Sequence, residues 1–262
     1  MNAVRPPVEA GYFIDEQVFS DVECEQLLNA VADSSVIRRG RSGSRHLMSQ
    51  SDVRRAASDQ RMLRIAYRAL GTEAVPYRAT LFEKSGVANW LVVWHQDTAL
   101  PLRSQFDLPG WGPWSRKAGF LYAHAPSWAL SHIVALRLHL DASTPDNGPL
   151  RILPGTHSLG VMSDADVFAL ARSQVHVDCI VERGGVMAMY PLLVHSSGKT
   201  SCRAPRRVLH IEYADSLTLW FKRWVLYVAI RGLLFSAGWE SGTGHALNKH
   251  ARLLVGRSVQ PR

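Results

Sequence analysis

Apolar residues recur at two different spacings, and the change between them divides the chain into a helical part and a strand-rich part. Between residues 20 and 71 the spacing is typical of amphipathic helices. One helix is predicted to begin at Ser20–Glu23 (SDVE), a capping box. A second is predicted from about Ser58 to Leu70, where Gly71 would end it. The polar stretch 38–50 between them is predicted to be a loop.

From residue 75 the pattern changes to short apolar or alternating runs with Gly, Pro or Asn between them, which is typical of strands. The runs are VPYRATLFEK, NWLVVWHQD, HIVALRLHLD, LRILPGTH, HVDCIVERGGVMAMYPLLVHSS and RRVLHIEYA, after an earlier short run, YFIDEQVF. They predict a mainly β fold, a sandwich or barrel with flanking helices and a core at about 75–216. The signal Asp146-Asn147-Gly148 predicts a hairpin turn.

Two segments stand outside this pattern. The stretch 98–131 is rich in Pro, Gly and Trp and interrupts the strands, so we expect a lid. Its Trp111, Trp114 and Trp128 are either core anchors or aromatic walls over the substrate, and the position of the segment favours a substrate contact for Trp111 and Trp114. The chain then ends in a basic, partly apolar extension, 217–262, whose first part, 217–239, predicts a helix. That helix could pack on the barrel or on a second subunit, or lie against a membrane surface. The oligomeric state stays open.

Charge and composition narrow the class of protein. The chain has 262 residues, a formal charge of +8 and a pI near 9.7. No nucleic-acid motif accompanies the basic residues, so a solvated surface is favoured and no nucleic-acid partner is expected. No run approaches the roughly 20 apolar residues of a membrane span. The three cysteines have unrelated spacings, which favours a reducing cytoplasm over a disulfide framework.

Three residues on predicted strands have the chemistry of a metal site. His95 and Asp97 are two residues apart in NWLVVWHQD, so on an extended strand both side chains point the same way. His195 ends another predicted strand. Two imidazoles and one carboxylate on one face of a metal form the triad of non-heme Fe(II) oxygenases, which leaves positions open for a cosubstrate and O₂. Zinc could use the same ligands for hydrolysis.

An arginine soon after His195 fits such an oxygenase. A dicarboxylate that chelates iron through one end leaves its other carboxylate free, and a guanidinium can bind that group with two parallel hydrogen bonds. Arg206 and Arg207 both open the strand RRVLHIEYA. If the polar face of this strand lines the cavity, Arg206 is the ligand and Arg207 points outward; periodicity alone does not decide which face is inside.

Four ordered runs together resemble the phytanoyl-CoA dioxygenase family over roughly residues 10–215. They are NWLVVWHQD, GWGPWSRKAGFLYAHAP, VALRLHLDASTPDNGPLRILPGTHSLG and LVHSSGKTSCRAPRRVLHIEYA. The resemblance implies a double-stranded β-helix (jelly roll, cupin-like) with flanking helices. It also implies Fe(II) on His95, Asp97 and His195, and 2-oxoglutarate on Arg206, with Ser197 and Lys84 near the cosubstrate. The extension after residue 216 is longer than this pattern requires.

The expected function is therefore an Fe(II)- and 2-oxoglutarate-dependent dioxygenase. Related halogenases replace the carboxylate ligand with a small residue, so the presence of Asp97 favours hydroxylation of a C–H bond, coupled to conversion of 2-oxoglutarate to succinate. The Trp-rich segment suggests a small, largely apolar substrate, and Arg137 is a further candidate contact. Two alternatives stay open: a catalytically silent jelly-roll binding protein, and a zinc hydrolase on the same ligands.

Overall fold

The structure of the protein, a computed structural model, describes residues 9–32, 39–40, 43–86, 88–117 and 119–217. The predicted helix 217–239 and the rest of the extension lie outside the described residues, apart from Leu217. The strands are β1 (Tyr12–Asp15), β2 (Arg39–Gly40), β3 (Gly43–Arg45), β4 (Val75–Lys84), β5 (Val92–His95), β6 (Ala99–Leu102), β7 (Trp114–Lys117), β8 (Phe120–His124), β9 (Ile133–His139), β10 (Leu150–Ile152), β11 (Val177–Cys179), β12 (Val186–Met189), β13 (His195–Ser197) and β14 (Arg206–Ala214). The helices are α1 (Asp21–Ala32), α2 (Ser51–Ala57), α3 (Gln60–Leu70), α4 (Ser127–Leu130) and α5 (Asp164–Ser173).

The strands form three antiparallel sheets. The large sheet has the order β1-β12-β9-β14-β4-β3-β2, a second has the order β11-β10-β13-β5, and a small third has the order β6-β8-β7. Consecutive strands repeatedly change sheet: β9 lies in the large sheet and β10 in the second, and β12 and β13 are divided in the same way. This is a jelly roll, and the predicted fold, mainly β with flanking helices, is confirmed.

The large sheet presents an apolar face to the helices and a polar face to the interior. On β14, Leu209, Ile211 and Tyr213 are fully buried in the core that α1, α2 and α3 cover. The Tyr213 hydroxyl donates a 2.8 Å hydrogen bond to the carbonyl of Ala57 at the end of α2. Because side chains alternate along a strand, the intervening positions of β14 point to the opposite, inner face.

Both predicted helices are present in the helical part, together with one that was not predicted. The capping box is confirmed: the Ser20 amide donates to Glu23 Oε2 at 2.8 Å, and the Glu23 amide donates to Ser20 Oγ at 3.3 Å. The second predicted helix is α3, which begins at Gln60 because the Asp59 side chain caps it, and Gly71 ends it in the left-handed region. The prediction missed α2, whose seven residues are too few for a clear period.

The predicted loop 38–50 also contains structure. It includes β2, β3 and a 3-10 turn, Leu47–Ser49, so calling it a loop was wrong. At Gly43 the backbone has φ of +123°, and a Cβ would collide with the carbonyl of Leu81 on β4. Glycine therefore allows β3 to pair closely with β4.

The stretch 98–131 is not an unstructured loop. It contains the complete three-stranded sheet β6-β8-β7 followed by α4. Leu100, Leu102 and Ala123 of this sheet are buried in an apolar cluster that also contains Tyr77 of β4 and Ala214 of β14. The segment therefore packs against the large sheet, and its predicted role as a lid stays a prediction.

The predicted hairpin turn at Asp146-Asn147-Gly148 is wrong in type. Pro145–Asn147 form a 3-10 turn, Gly148 adopts φ of +69°, and the turn connects β9 with β10 in different sheets. The dipeptide signal marked a change of direction correctly, but the partner strands could not be read from it.

None of the helices in the described ranges is long and apolar enough to cross a bilayer.

Candidate active site

The predicted metal ligands come together where two strands of the second sheet pair. His95 ends β5 and lies directly opposite His195, the first residue of β13, and the centroids of their rings are 4.2 Å apart. Asp97 lies just beyond β5 rather than on it, and its amide donates to the carbonyl of Pro191 at 2.9 Å. This backbone contact keeps the carboxylate on the side of the two rings.

The ligand atoms face one another. Asp97 Oδ1 is 3.7 Å from His95 Nε2, and Asp97 Oδ2 is 3.6 Å from His195 Nε2. Each imidazole uses its other nitrogen, Nδ1, in a 2.8 Å contact with a backbone carbonyl two residues earlier, Val93 or Leu193. Those carbonyls select the tautomer with a proton on Nδ1 and leave Nε2 free to bind a metal. Within the described residues, this is the one group of three His, Cys, Asp or Glu side chains whose ligand atoms converge in this way.

The electrostatics of the triad favour its metal-binding protonation states. Burial raises the pKa of Asp97, but the neighbouring His195, His95, His210 and Arg78 together outweigh it and lower that pKa to about 2. Burial, followed by the proximity of His95, lowers the pKa of His195 to about 4. At neutral pH the carboxylate is therefore ionised and this imidazole is neutral, which are the forms that coordinate metals.

Beside the triad, two buried cations converge on one hydroxyl. Ser197 follows His195 by two residues on β13, and its Oγ accepts hydrogen bonds from Lys84 Nζ at 2.7 Å and from Arg206 Nη2 at 3.2 Å. Lys84 and Arg206 are opposite each other on β4 and β14. The structure thus brings together all three residues that the family resemblance assigned to the cosubstrate, although none of them sits on the metal.

Arg206 and Arg207 have opposite environments. Arg206 is 3% exposed, and no described carboxylate lies against it; its Nη1 has no hydrogen-bond partner. Burial, and then the proximity of Arg137, lowers the pKa of Arg206 to about 9, so the group stays charged at neutral pH. Arg207 instead binds Asp141 through Nε at 2.7 Å and Nη2 at 2.8 Å. The alternative left open by the sequence is decided by burial: Arg206 faces the interior.

The other interior cations have distinct surroundings. Burial lowers the pKa of Lys84 to about 7, with further contributions from Arg206, Arg151 and Arg137. Arg137, a predicted substrate contact, is buried, and its Nη1 lies 3.1 Å from Nδ1 of His210. A substrate role for Arg137 stays a prediction.

Several polar residues of the interior were not predicted from the sequence. The carbonyls of Asn147 and Gly148 accept hydrogen bonds from Arg206 Nε at 3.3 Å and Ser197 Oγ at 2.9 Å. An ion pair joins Arg78 on β4 to Glu212 on β14. The alternation of β4 and β14 could have placed Arg78 and Glu212 on the inner face, because both share that face with the predicted ligands Lys84 and Arg206. The carbonyls leave no signal in a sequence.

A cavity of about 250 Å³ opens next to Asp97, with Phe82, Tyr122 and Gln96 among its walls. Trp111 and Trp114 do not line it. They pack with Phe106 in the apolar cluster of the small sheet, at ring distances of 5.1 and 5.0 Å. Their predicted contact with substrate is therefore not supported by their position.

Comparison with protein families finds one match, to the phytanoyl-CoA dioxygenase family, over residues 8–208. The protein belongs to the phytanoyl-CoA dioxygenase family. The match contains every residue of the triad and of the Lys84–Ser197–Arg206 cluster, so the resemblance seen in the sequence is confirmed. No curated protein matches the chain.

Solved structures with the same fold are similar at low sequence identity. EctD from S. alaskensis, solved with 2-oxoglutarate and 5-hydroxyectoine, is 21% identical with a TM-score of 0.58, over 79% of this chain and 73% of that one. The carbocyclase SnoK from nogalamycin biosynthesis is 17% identical, with a TM-score of 0.60 over 81% and 83%. HygX from Streptomyces hygroscopicus, with nickel and 2-oxoglutarate bound, is 15% identical, with a TM-score of 0.57 over 82% and 87%. At such low identities, these TM-scores show a common fold and no more.

Proposed function

We propose that this member of the family is an Fe(II)- and 2-oxoglutarate-dependent dioxygenase that hydroxylates a C–H bond of a small molecule. Family membership and the convergent triad support the metal and the reaction class. The solved structures of EctD and HygX, which contain 2-oxoglutarate, support the cosubstrate. The cavity presents charged and polar side chains together with the rings of Phe82 and Tyr122, so it does not by itself favour the largely apolar substrate that the Trp-rich segment suggested.

One observation carries the proposal. Arg206 is a buried cation without a carboxylate partner among the described residues, it has an unsatisfied Nη1, and it lies beside the triad on the hydroxyl of Ser197. An uncompensated charge is costly to bury, so such a site is suited to an anionic ligand. The donor set of the triad fits Fe(II). A dicarboxylate that reaches both the metal and Arg206 satisfies both halves of the site.

The chain's own residues then have separate tasks. His95, Asp97 and His195 would hold Fe(II), which supplies activation of O₂ coupled to decarboxylation of 2-oxoglutarate to succinate and CO₂. Arg206 binds the remote carboxylate of the cosubstrate, and Lys84 adds a second positive charge. The carbonyls of Val93 and Leu193 fix the two imidazole rings, so the ligands need little rearrangement when the metal binds.

The test is formation of succinate from 2-oxoglutarate by Fe(II)-loaded protein, across a panel of small molecules, with the hydroxylated product identified by mass. We expect at least one panel member to raise succinate formation and to gain one oxygen atom. His195→Ala should abolish both, whereas Arg207→Met should retain both.

The alternatives give different results. A zinc hydrolase would contain zinc when purified from untreated cells and would act without 2-oxoglutarate, and it would have no use for the unpaired Arg206. A silent binding protein would bind Fe(II) and 2-oxoglutarate and yet release no succinate with any member of the panel. Either outcome would contradict the proposed turnover.

A further inference from the structure

The side chains that line the cavity beside Asp97 carry more basic than acidic groups. That this cavity is a substrate site rests on the proposed function; the excess of basic groups does not. Five basic side chains line it, namely Arg45, His46, Arg78, Lys117 and His124. Asp97 is the one acidic side chain among the described lining residues, and it is a metal ligand in the proposed site.

Two of these basic residues, Arg45 and Lys117, supply positive charge that no described carboxylate neutralises. Of the other three, His124 contacts Thr98 Oγ1 through its Nδ1 at 2.6 Å. Arg78 is neutralised by its ion pair with Glu212. Burial, followed by Arg78 and Arg45, lowers the pKa of His46, so its ring is neutral at neutral pH. Arg45 and Lys117 are exposed and have no carboxylate partner within the described part of the chain. They place two uncompensated cations at the open side of the cavity.

Two different sheets hold these cations around one opening. Arg45 ends β3 of the large sheet, and Lys117 ends β7 of the small sheet. The residues that follow connect the two sides: the ring of His46 stacks on the ring of Phe120, with centroids 3.9 Å apart and planes 13° apart. His46 adopts φ of +61°, a conformation that non-glycine residues adopt mainly where the surrounding structure requires it.

The walls below the cations suit a compact organic body. Phe82 and Tyr122 present aromatic rings, and Thr80 and Gln96 present polar groups. Lys117 Nζ lies 5.8 Å from the centroid of the Tyr122 ring, so a group that binds Lys117 would lie close to that ring. A volume of about 250 Å³ lies just below the roughly 300–1,000 Å³ typical of pockets for drug-sized ligands, which indicates a small molecule.

We propose that the substrate is a small organic anion, with a carboxylate or a phosphate monoester that Arg45 and Lys117 bind at the cavity mouth. In this arrangement the anionic group of the substrate binds at the cavity mouth, and the rest of the molecule extends along Phe82 and Tyr122 towards Asp97. Arg45 and Lys117 are thus determinants of substrate specificity, and they are separate from Arg206, which binds the cosubstrate.

The experiment compares matched anionic and neutral probes. Phenylacetate, phenyl phosphate and neutral phenylacetamide are titrated by ligand-observed NMR against protein loaded with Zn(II) and saturated with 2-oxoglutarate, which occupies the Arg206 pocket. We expect at least one anion to bind ten or more times more tightly than the amide. Arg45→Met and Lys117→Met should each reduce that preference, and the double variant should abolish it. Preference for phenyl phosphate over phenylacetate, or the reverse, distinguishes the two kinds of anionic group.

Two controls separate the local site from other effects. Arg172→Met removes an equal charge from the exposed surface of α5, so it should leave the preference unchanged. Equal binding of the amide and both anions, or an equal loss in Arg172→Met, would overturn the proposal. The titration is repeated with Arg206→Met protein that lacks metal and 2-oxoglutarate. Anion preference that survives there supports the mouth site even if the proposed oxygenase function fails, and its loss there rejects the mouth site.

Discussion

Replacement of Arg206 by methionine should affect cosubstrate binding and folding in opposite ways. Methionine keeps the length and apolar stem of the side chain but removes the guanidinium, which is the group that we expect to bind the remote carboxylate of 2-oxoglutarate. Loss of one partner of a buried, hydrogen-bonded charge pair costs about 2–5 kcal/mol. At about 1.4 kcal/mol per factor of ten, affinity for 2-oxoglutarate should fall by about 30-fold to several thousand-fold.

The free energy of unfolding of the unliganded protein should not fall with it. The hydrogen bonds that Arg206 makes to Ser197 and Asn147 are long, at 3.2 and 3.3 Å, and contribute about 1–3 kcal/mol together. Against them stands the cost of burying the charge. Burial lowers the pKa of Arg206 to about 9. Each pH unit by which folding lowers the pKa of a cation means that its charged form destabilises the folded state by about 1.4 kcal/mol. Methionine should therefore leave the unliganded protein as stable as before or more stable.

Arg207→Met is the matched control. It breaks the two-bond ion pair with Asp141, which is partly exposed, so stability should fall by about 1 kcal/mol while 2-oxoglutarate affinity is unchanged. Calorimetric titration with Zn(II)-loaded protein gives the affinities, and urea denaturation of the unliganded proteins gives the stabilities. The reasoning is refuted if Arg206→Met binds 2-oxoglutarate normally, or if it loses several kcal/mol of stability and Arg207→Met does not.

Three further predictions concern charge and packing. The pKa of Lys84 is lowered to about 7, and a bound anion favours its charged form. The affinity for 2-oxoglutarate should therefore fall roughly tenfold per pH unit above pH 7, and binding should take up a proton. Calorimetric titrations in buffers of different ionisation enthalpy check both effects, and Lys84→Met should remove them. The hydrogen bonds from Arg61 and the Ser20 amide lower the pKa of Glu23 to about 2. The stability that ionised Glu23 contributes is therefore complete above its ordinary pKa and is lost as the pH falls towards 2. The stability of Glu23→Gln should depend less steeply on pH across that range, and an unchanged acid denaturation profile would contradict the assignment. Tyr213→Phe leaves the Ala57 carbonyl without its donor and should cost about 1–3 kcal/mol in urea denaturation, with no change in 2-oxoglutarate affinity.

The pattern of apolar and polar residues along the strands predicted most of the fold, because each strand faces a core on one side. The runs VPYRATLFEK and RRVLHIEYA correspond residue for residue to β4 and β14. On β14, Leu209 and Ile211 lie in the helix-covered core, and the alternate positions Arg206 and His210 face the interior. Prediction failed where elements are short. The seven residues of α2, and the sheet inside 98–131, gave no period long enough to recognise.

The residues of the candidate site could be predicted from the sequence, but which way some of their side chains point could not. His95, Asp97 and His195 could be found because each lies on a strand or just after one. Which of Arg206 and Arg207 faces inward depends on where the helices pack, and this is a tertiary property. The mouth residues Arg45 and Lys117 are far apart in sequence and belong to different sheets, so no local pattern could join them.

The most direct test of the central claim is an anaerobic absorption titration with Fe(II) followed by 2-oxoglutarate. If His95, Asp97 and His195 hold the metal beside Arg206, the protein will bind Fe(II) stoichiometrically and develop a charge-transfer absorption only when 2-oxoglutarate is added. His195→Ala should lose the absorption, and Arg206→Met should require far more 2-oxoglutarate to produce it. Failure to bind Fe(II), or binding without any 2-oxoglutarate-dependent absorption, would contradict the account.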